Sequence, residues 1–347
     1  MRMRTSGPIL PICSSLVLVA CAADSAGLPS NQAPVPSSAE PSPSSEPPSI
    51  TFAWPDGAAP TVTRQLAGLD ERYINPGAII ESDGTLHMFA NLFTAWPGRV
   101  RIQHLVSSDG AKWTLAAPEP AIDSQDVPLG GLGADVSTGF VTDNGTWVLI
   151  FETVSSLDPW VLGRATAPTP DGPWTIDSEP ILEGGPEGTW DAGGLAWPSV
   201  VRTQNGYAMY YTATARPGGD GMIGLAESTD GVTWTKRDAP VLEPLAEWEG
   251  GSLDRPRVAM TPVGMVMVYA GADLTDRGLA WSSDGVSWRR DGDVPVITQD
   301  DFPVEGKAWD AALLNREGAL IYYLEIGTAS GSAGTQVYRA EAELPER

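Results

Sequence analysis

A tryptophan set behind an Asp-Gly turn recurs along this chain at nearly even intervals. SSDGAKW ends at Trp113, TPDGPW at Trp174, STDGVTW at Trp234 and SSDGVSW at Trp288, so successive tryptophans stand 61, 60 and 54 residues apart. Each is followed by a proline and a short aliphatic pair: Pro120-Ala121-Ile122, Pro180-Ile181-Leu182, Pro240-Val241-Leu242 and Pro295-Val296-Ile297. A third marker occurs five times. DGTLHMFAN (83–91), NGTWVLIFE (144–152), NGYAMYYTA (205–213), VGMVMVYAG (263–271) and EGALIYYLE (317–325) each join a glycine turn to an apolar, aromatic run of the buried-strand type. Ahead of each glycine stands another strand: NPGAII from Asn75, VSTGFV from Val136, WPSVV from Trp197, RPRVAM from Arg255 and WDAALL from Trp309.

Three markers in one phase, with no helical period between them, predict an all-β chain: a five-bladed β-propeller of four-stranded antiparallel blades. The fifth copy ends in TQVYRAEAEL (335–344) and lacks the Asp-Gly turn, so a strand from SITFAW (49–54) or TVTRQL (61–66) is expected to complete it and protect its edge. The repeated aspartates, Asp109, Asp171, Asp230 and Asp284, read as scaffold. An Asp side chain can bond its own turn backbone, glycine takes the positive φ, and tryptophan supplies buried area.

The propeller accounts for residues 50–347. Residues 1–20 carry Arg2 and Arg4 ahead of an apolar run ending LVLVAC, which resembles a bacterial lipoprotein signal with Cys21 as the lipidated residue. Residues 21–49, rich in Pro and Ser, cannot bury enough apolar surface to offset their ordering entropy and read as a disordered tether. This organisation implies export and a lipid anchor at the cell surface or envelope. Cys13 and Cys21 are the only cysteines, so the propeller has no disulfide and must be held by its core. A net charge of -23 argues against nucleic acid and against anionic membrane surfaces as partners.

With its five-fold plan, strand openings such as YINPGAI and AWPSVV, and S-x-DG-x-x-W turns, the chain resembles the five-bladed propeller glycoside hydrolases, a group that includes arabinanases, xylosidases, invertases and mannoside phosphorylases. The resemblance implies a carbohydrate ligand and a site at one mouth of the central channel, where residues before the inner strands converge. It also implies an Asp base at the first inner strand, a tuning Asp at the second and a Glu acid near the third. Here the first of these positions is Asn75, whose amide cannot act as a base; Asp70 and Glu71 lie a few residues upstream.

The catalytic candidates are the acids at the blade openings, because glycoside cleavage needs one protonated carboxyl and one carboxylate. They are Asp135, Asp191 in the loop TWDAGG, and Glu249 and Asp254 in EWEGGSLDRPR. The substrate-binding candidates are Asn75, Glu152, Trp197, Arg255, Arg257, Trp309 and Asp310; Glu305 and Lys307 accompany the last two. Tryptophans can stack on sugar faces, and the arginines suit a hydroxyl, a carboxylate or a phosphate. His104 reads as a packing residue. No cofactor is implied: the acid density would suit a structural calcium, but no loop has calcium-binding spacing. Three functions fit these residues: a glycoside hydrolase, a phosphorylase relative, or a carbohydrate-binding propeller without catalysis.

Overall fold

The computed structural model describes residues 50–344 apart from 68–70, 130, 132, 155–158 and 328–333. The expected signal and tether, Cys21 included, and Asp70 lie outside the described residues. The rest is a five-bladed propeller. Blade 1 contains β1 (Tyr73–Ser82), β2 (Thr85–Phe93), β3 (Val100–Ser107) and β4 (Thr114–Leu115), with β5 (Ile122–Asp123) also on β3. Blade 2 contains β6 (Gly133–Val141), β7 (Trp147–Val154), β8 (Leu162–Ala167) and β9 (Thr175–Ile176). Blade 3 contains β10 (Gly194–Thr203), β11 (Gly206–Thr214), β12 (Gly221–Ser228) and β13 (Thr235–Lys236). Blade 4 contains β14 (Asp254–Thr261), β15 (Gly264–Ala270), β16 (Arg277–Ser282) and β17 (Arg289–Arg290). Blade 5 contains β18 (Lys307–Arg316), β19 (Ala319–Gly327) and β20 (Thr335–Glu343). All pairings within the blades are antiparallel between consecutive strands, apart from β5 on β3.

Strand side chains alternate between faces, so each blade feeds two cores. In β11, Tyr207, Met209 and Tyr211 pack toward blade 2, whereas Ala208 and Tyr210 pack toward blade 4. Five apolar clusters result, one between each pair of neighbouring blades, and they close the ring. The expected closure of blade 5 is present. Ala53 pairs with Glu341 and Val62 with Val337 of β20, and Asp56 accepts from Arg339 at 3.0 Å. Ile50 and Phe52 enter the core between blades 4 and 5, and Val62 that between blades 5 and 1. Both N-terminal segments therefore contribute, as short bridges.

The Asp-Gly turns follow the third strands, at the face opposite the one where the inner strands begin. Asp109 Oδ1 accepts from the N–H groups of Ala111 (2.9 Å) and Lys112 (2.8 Å), and Ser107 Oγ accepts from Gly110 N–H at 2.8 Å. Asp230 and Asp284 repeat the arrangement. The turns also lock blades together, since Tyr323 Oη donates to Gly110 O (2.9 Å) and Tyr210 Oη to Gly285 O (2.8 Å). Asp171 departs from the expected scaffold role. Pro173 stands where the other turns supply an N–H, and proline has none to give; Asp171 instead lies 3.1 Å from His104 Nδ1.

Candidate active site

Every inner strand breaks register with its neighbour where it enters the mouth. The irregularities lie at Asn75/Ala78, Val136/Thr138, Ala196/Ser199, Asp254/Arg257 and Ala308/Ala311. A bulge re-aims the side chains it carries, and these carry Trp197, Arg255, Trp309 and Asp310. Trp197 and Arg255 are held at φ of 50° and 49°, a region costly for side chains of this size, so the surrounding structure imposes their direction. By cross-strand register Asn75, Asp135 and Asp254 hold the same place in blades 1, 2 and 4, opposite Asn91, Glu152 and Ala270.

These bulges surround a cavity of about 230 Å³. Tyr73, Phe93, Trp96, Trp197 and Trp309 form its aromatic walls, and Asn75, Asp135, Asp310, Glu325, Arg255 and Thr335 supply its polar groups. The Arg255 guanidinium lies 4.0 Å from the centroid of the Trp197 ring. Its Nη1 is 3.5 Å from Asp254 Oδ1, yet Nε and Nη1 have no hydrogen-bond acceptor among the described residues.

The acids here are buried and close enough to repel one another. Burial, followed by the charges of Glu152, Asp310 and Glu325, pushes Asp135 well above the usual carboxylate range. Its contacts with Asn75 Nδ2 are long, 3.5 Å to each oxygen. The Asn75 amide is fixed in turn, because its Oδ1 accepts from Asn91 Nδ2 at 2.7 Å and from Gly77 N–H at 3.1 Å. Burial, then Asp310, pushes Glu152 up to about 8 against the opposing charge of Arg257. Burial raises Glu325 to about 8, although hydrogen bonds from Thr335 and the Asp310 N–H and the repulsion of Asp310 also act on it. Asp310 is different in kind. Its Oδ1 accepts from Arg257 Nη2 at 2.5 Å and from Ala311 N–H at 2.7 Å, while Oδ2 is buried without a hydrogen-bond partner among the described residues.

The sequence candidates therefore divide. Asn75, Asp135, Trp197, Arg255, Trp309 and Asp310 meet in the cavity. Glu152 and Arg257 lie behind it as supports: Ser137 Oγ donates to Glu152 at 3.0 Å, and Arg257 is 2 % exposed and spent on Asp310 and on backbone carbonyls of Trp197, Pro256 and Ala311. Asp254 lines an adjoining cavity rather than this one.

Asp191 and Glu249, catalytic candidates in the sequence, are not brought to this pocket. Burial alone would raise the Asp191 pKa, but Lys236 Nζ at 2.5 Å and the Thr189 hydroxyl at 2.8 Å hold it below the ordinary value. Glu249 behaves alike. Its burial is outweighed by Arg290 (2.6 Å), by the Leu245 and Ala246 N–H groups and by the Tyr269 hydroxyl, leaving both oxygens satisfied. Glu71 is ion-paired with Arg101, and Glu305 and Lys307 are exposed and outside the cavity lining. No group of three or more His, Cys, Asp or Glu among the described residues could hold a metal ion.

Sequence reasoning missed Glu325, Thr335, Tyr73, Phe93 and Trp96. For Glu325 a signal existed, because it ends the aromatic run LIYYLE just as Glu152 ends WVLIFE. Thr335 had none, since it reaches Ile74 across 261 residues of chain, with Ile74 N–H donating to its hydroxyl at 2.9 Å.

No protein-family model matches the chain, and a search of curated proteins finds no match. Solved structures do resemble it. Zg3597, a family 117 glycoside hydrolase of the marine bacterium Zobellia galactanivorans, aligns over 85% of this chain and 90% of its own at 16% identity, with a TM-score of 0.62. A structure from the GH130 family of mannoside phosphorylases, which contains hydrolases that target β-1,2 mannosidic linkages in Candida mannan, aligns over 86% and 95% at 17% identity (TM-score 0.61). A thermostable family-43 glycoside hydrolase aligns over 78% and 88% at 15% identity (TM-score 0.59). The fold is the five-bladed propeller of these structures. At these identities the likeness establishes the five-bladed architecture, and the chemistry has to be argued from the pocket.

Proposed function

We propose that the chain is a glycan-active enzyme that cleaves a glycosidic bond between Asp135 and Asp310. The observation that carries this reading is that two carboxyls lining one aromatic-walled pocket sit in opposite environments. Asp135 is buried among other acids that push it well above the usual carboxylate range, whereas Asp310 is paired with the Arg257 guanidinium. Glycoside hydrolysis uses such a pair.

In this reading Trp309 and Trp197 receive the sugar ring, and the Asp135 hydroxyl protonates the glycosidic oxygen as its bond to the anomeric carbon breaks. Without that proton the departing oxygen would leave as an alkoxide. Asp310 Oδ2, which has no hydrogen-bond partner among the described residues, serves the anomeric carbon as nucleophile or as base toward water. Glu325 is a poorer acid despite its raised pKa, because Thr335 and the Asp310 N–H already bind it. This gives Asp135 the acid's role, where the sequence resemblance implied a tuning one. A phosphorylase is less well supported: Arg257 is engaged by Asp310 and Lys307 is exposed outside the pocket, leaving Arg255 as the cation lining it among the described residues. Anchoring through Cys21 would present the pocket to extracellular glycans.

A panel of aryl glycosides and oligosaccharides screened with wild type, Asp135→Asn and Asp310→Asn tests the assignment. Each variant is expected to lose about 10²- to 10⁴-fold in kcat. Unchanged turnover in Asp135→Asn would remove it from the mechanism. Asn75, an amide in the place of a base, favours a second reading as a binding propeller, which glycan binding by wild type without turnover would select.

A further inference from the structure

One buried cation takes no part in the chemistry above. Arg277, the first residue of β16, is 1 % exposed and forms no ion pair with a carboxylate among the described residues; its bonds go to a hydroxyl and to backbone carbonyls. Nε donates to Tyr322 Oη at 2.9 Å, Nη1 to the carbonyls of Leu274, Thr275 (3.1 Å) and Asp276 (3.3 Å), and Nη2 to the Trp309 carbonyl at 3.0 Å. The loop ahead of it is shaped to receive it. Leu274 is held at φ of 62° and Asp273 Oδ1 accepts from the Thr275 and Asp276 N–H groups, so that three successive carbonyls turn toward the guanidinium. Asp276 adds its charge from the neighbouring position, but its carbonyl makes the bond. Burying a guanidinium against carbonyls instead of a carboxylate is costly. A methionine of similar length would fill the space without that cost, so what the arginine adds is directed hydrogen bonding.

That bonding reaches the pocket at Trp309. Trp309 and Asp310 lie in the bulge between Ala308 and Ala311, outside the regular β18–β19 ladder, and a carbonyl released from a ladder needs another donor. Arg277 supplies it from the neighbouring blade. Holding this carbonyl holds the plane of the Trp309–Asp310 peptide, and with it the direction in which the indole leaves the backbone. The ring is seated just as closely, since a Cβ on Gly327 would stand 3.0 Å from its Cζ3. Blade 4 repeats the device on its other side, where Arg257 Nη1 donates at 3.2 Å to the carbonyl of Trp197, which lies in the bulge of β10. Arg257 also binds Asp310, whereas Arg277 meets the pocket lining at the Trp309 backbone.

We propose that Arg277 is a positioning residue for ligand binding: from blade 4 it fixes the Trp309 backbone so that the indole stands ready as a wall of the pocket. The inference rests on the glycan-active reading, in which Trp309 receives the sugar ring, and deepens it. Asp310 keeps its own ties to Arg257 and the Ala311 N–H, so loss of the brace acts on binding and spares the bond-breaking step.

The test compares Arg277→Lys with Tyr322→Phe in the full chain. Lysine keeps the buried cation beside the loop carbonyls but lacks the fork that spans from them to Trp309, whereas Tyr322→Phe strands Nε and leaves the Trp309 bond in place. Protein labelled with 5-fluorotryptophan gives a fluorine resonance for Trp309, assigned by its loss in Trp309→Phe. Kinetics use the aryl glycoside that wild type cleaves fastest, and denaturation midpoints are measured in parallel. Arg277→Lys is expected to move the Trp309 resonance and to raise KM about tenfold with kcat within about twofold. Tyr322→Phe is expected to lower the denaturation midpoint and leave the resonance and KM unchanged. An unmoved resonance in Arg277→Lys, an unchanged KM, or a KM that follows the denaturation midpoint in both variants alike overturns the positioning role and leaves the glycan reading standing. A wild type that cleaves no glycoside overturns the glycan reading, and the resonance then decides the brace by itself.

Discussion

The two faces of this propeller use the same residue type for opposite ends. On the face of the Asp-Gly turns, Asp284 is exposed, and N–H donors from Ser287 and Val286 pull its pKa down to about 2. At the mouth, Asp135 is buried, has one distant amide for company, and is pushed far the other way by its burial and by neighbouring acids. The first aspartate belongs to a set that recurs from blade to blade; the second breaks the pattern of its neighbours. A carboxylate whose bonds are all made by its own turn has nothing left for a ligand. One that the fold has desolvated and left underbonded favours its protonated form and has bonding capacity left for a ligand.

Asp191 and Glu249 fit this contrast. Each follows a tryptophan, in TWDAGG and EWEGGS, and each pairs with a cation on the short fourth strand of its own blade, Lys236 in β13 and Arg290 in β17. They are one scaffold device used twice. Their loops are glycine-rich for different reasons: a Cβ on Gly193 would stand 2.2 Å from the Arg216 backbone, whereas Gly250 and Gly251 take φ of 64° and 83°.

The contrast can be broken most sharply at Arg257. Replacing it with methionine removes the charge that balances Asp310, and breaking a buried pair of this kind should cost about 3–5 kcal/mol in chemical denaturation. A loss below about 1 kcal/mol would mean that the Arg257 pair does little to hold Asp310 in place.

The next effect is a pH dependence. Glu152 and Glu325 hold their protons up to about 8 in the folded chain, against 4.5 for the ordinary group. Between those limits the native state binds more protons than the unfolded state. Stability is therefore fully present below about 4.5 and declines as pH rises toward 8, with a slope of at most about 1.4 kcal/mol per pH unit for each proton. Glu152→Gln should flatten this decline. Denaturation midpoints that rise between pH 5 and 8 would contradict the cluster's arrangement.

The smallest effect belongs to the turns. Asp284→Ala removes side-chain bonds to backbone at the surface and should lower stability by about 1 kcal/mol, with turnover and glycan affinity unchanged. A loss of function there would erase the distinction between the two faces.

Sequence alone determined the architecture. The phase of three repeated markers set five blades, the missing turn in the fifth copy called for an N-terminal segment, and repetition separated most of the scaffold acids from the rest. These are local properties, carried by turn chemistry and strand alternation within one repeat. Tertiary structure decided which acids lie together. Asp135, Asp310 and Glu325 come from blades 2 and 5, and their proximity depends on ring closure and on bulges that aim side chains into the mouth. Asp171 and Glu325 mark the boundary between the two kinds of information. Pro173 announced in the sequence that Asp171 could not cap its own turn, but only the fold supplied His104 as its partner. Glu325 repeated the position of Glu152 in an aromatic run, but only burial beside Asp310 gave it a raised pKa. Desolvation and charge coupling act through space, between residues that the repeat keeps far apart along the chain.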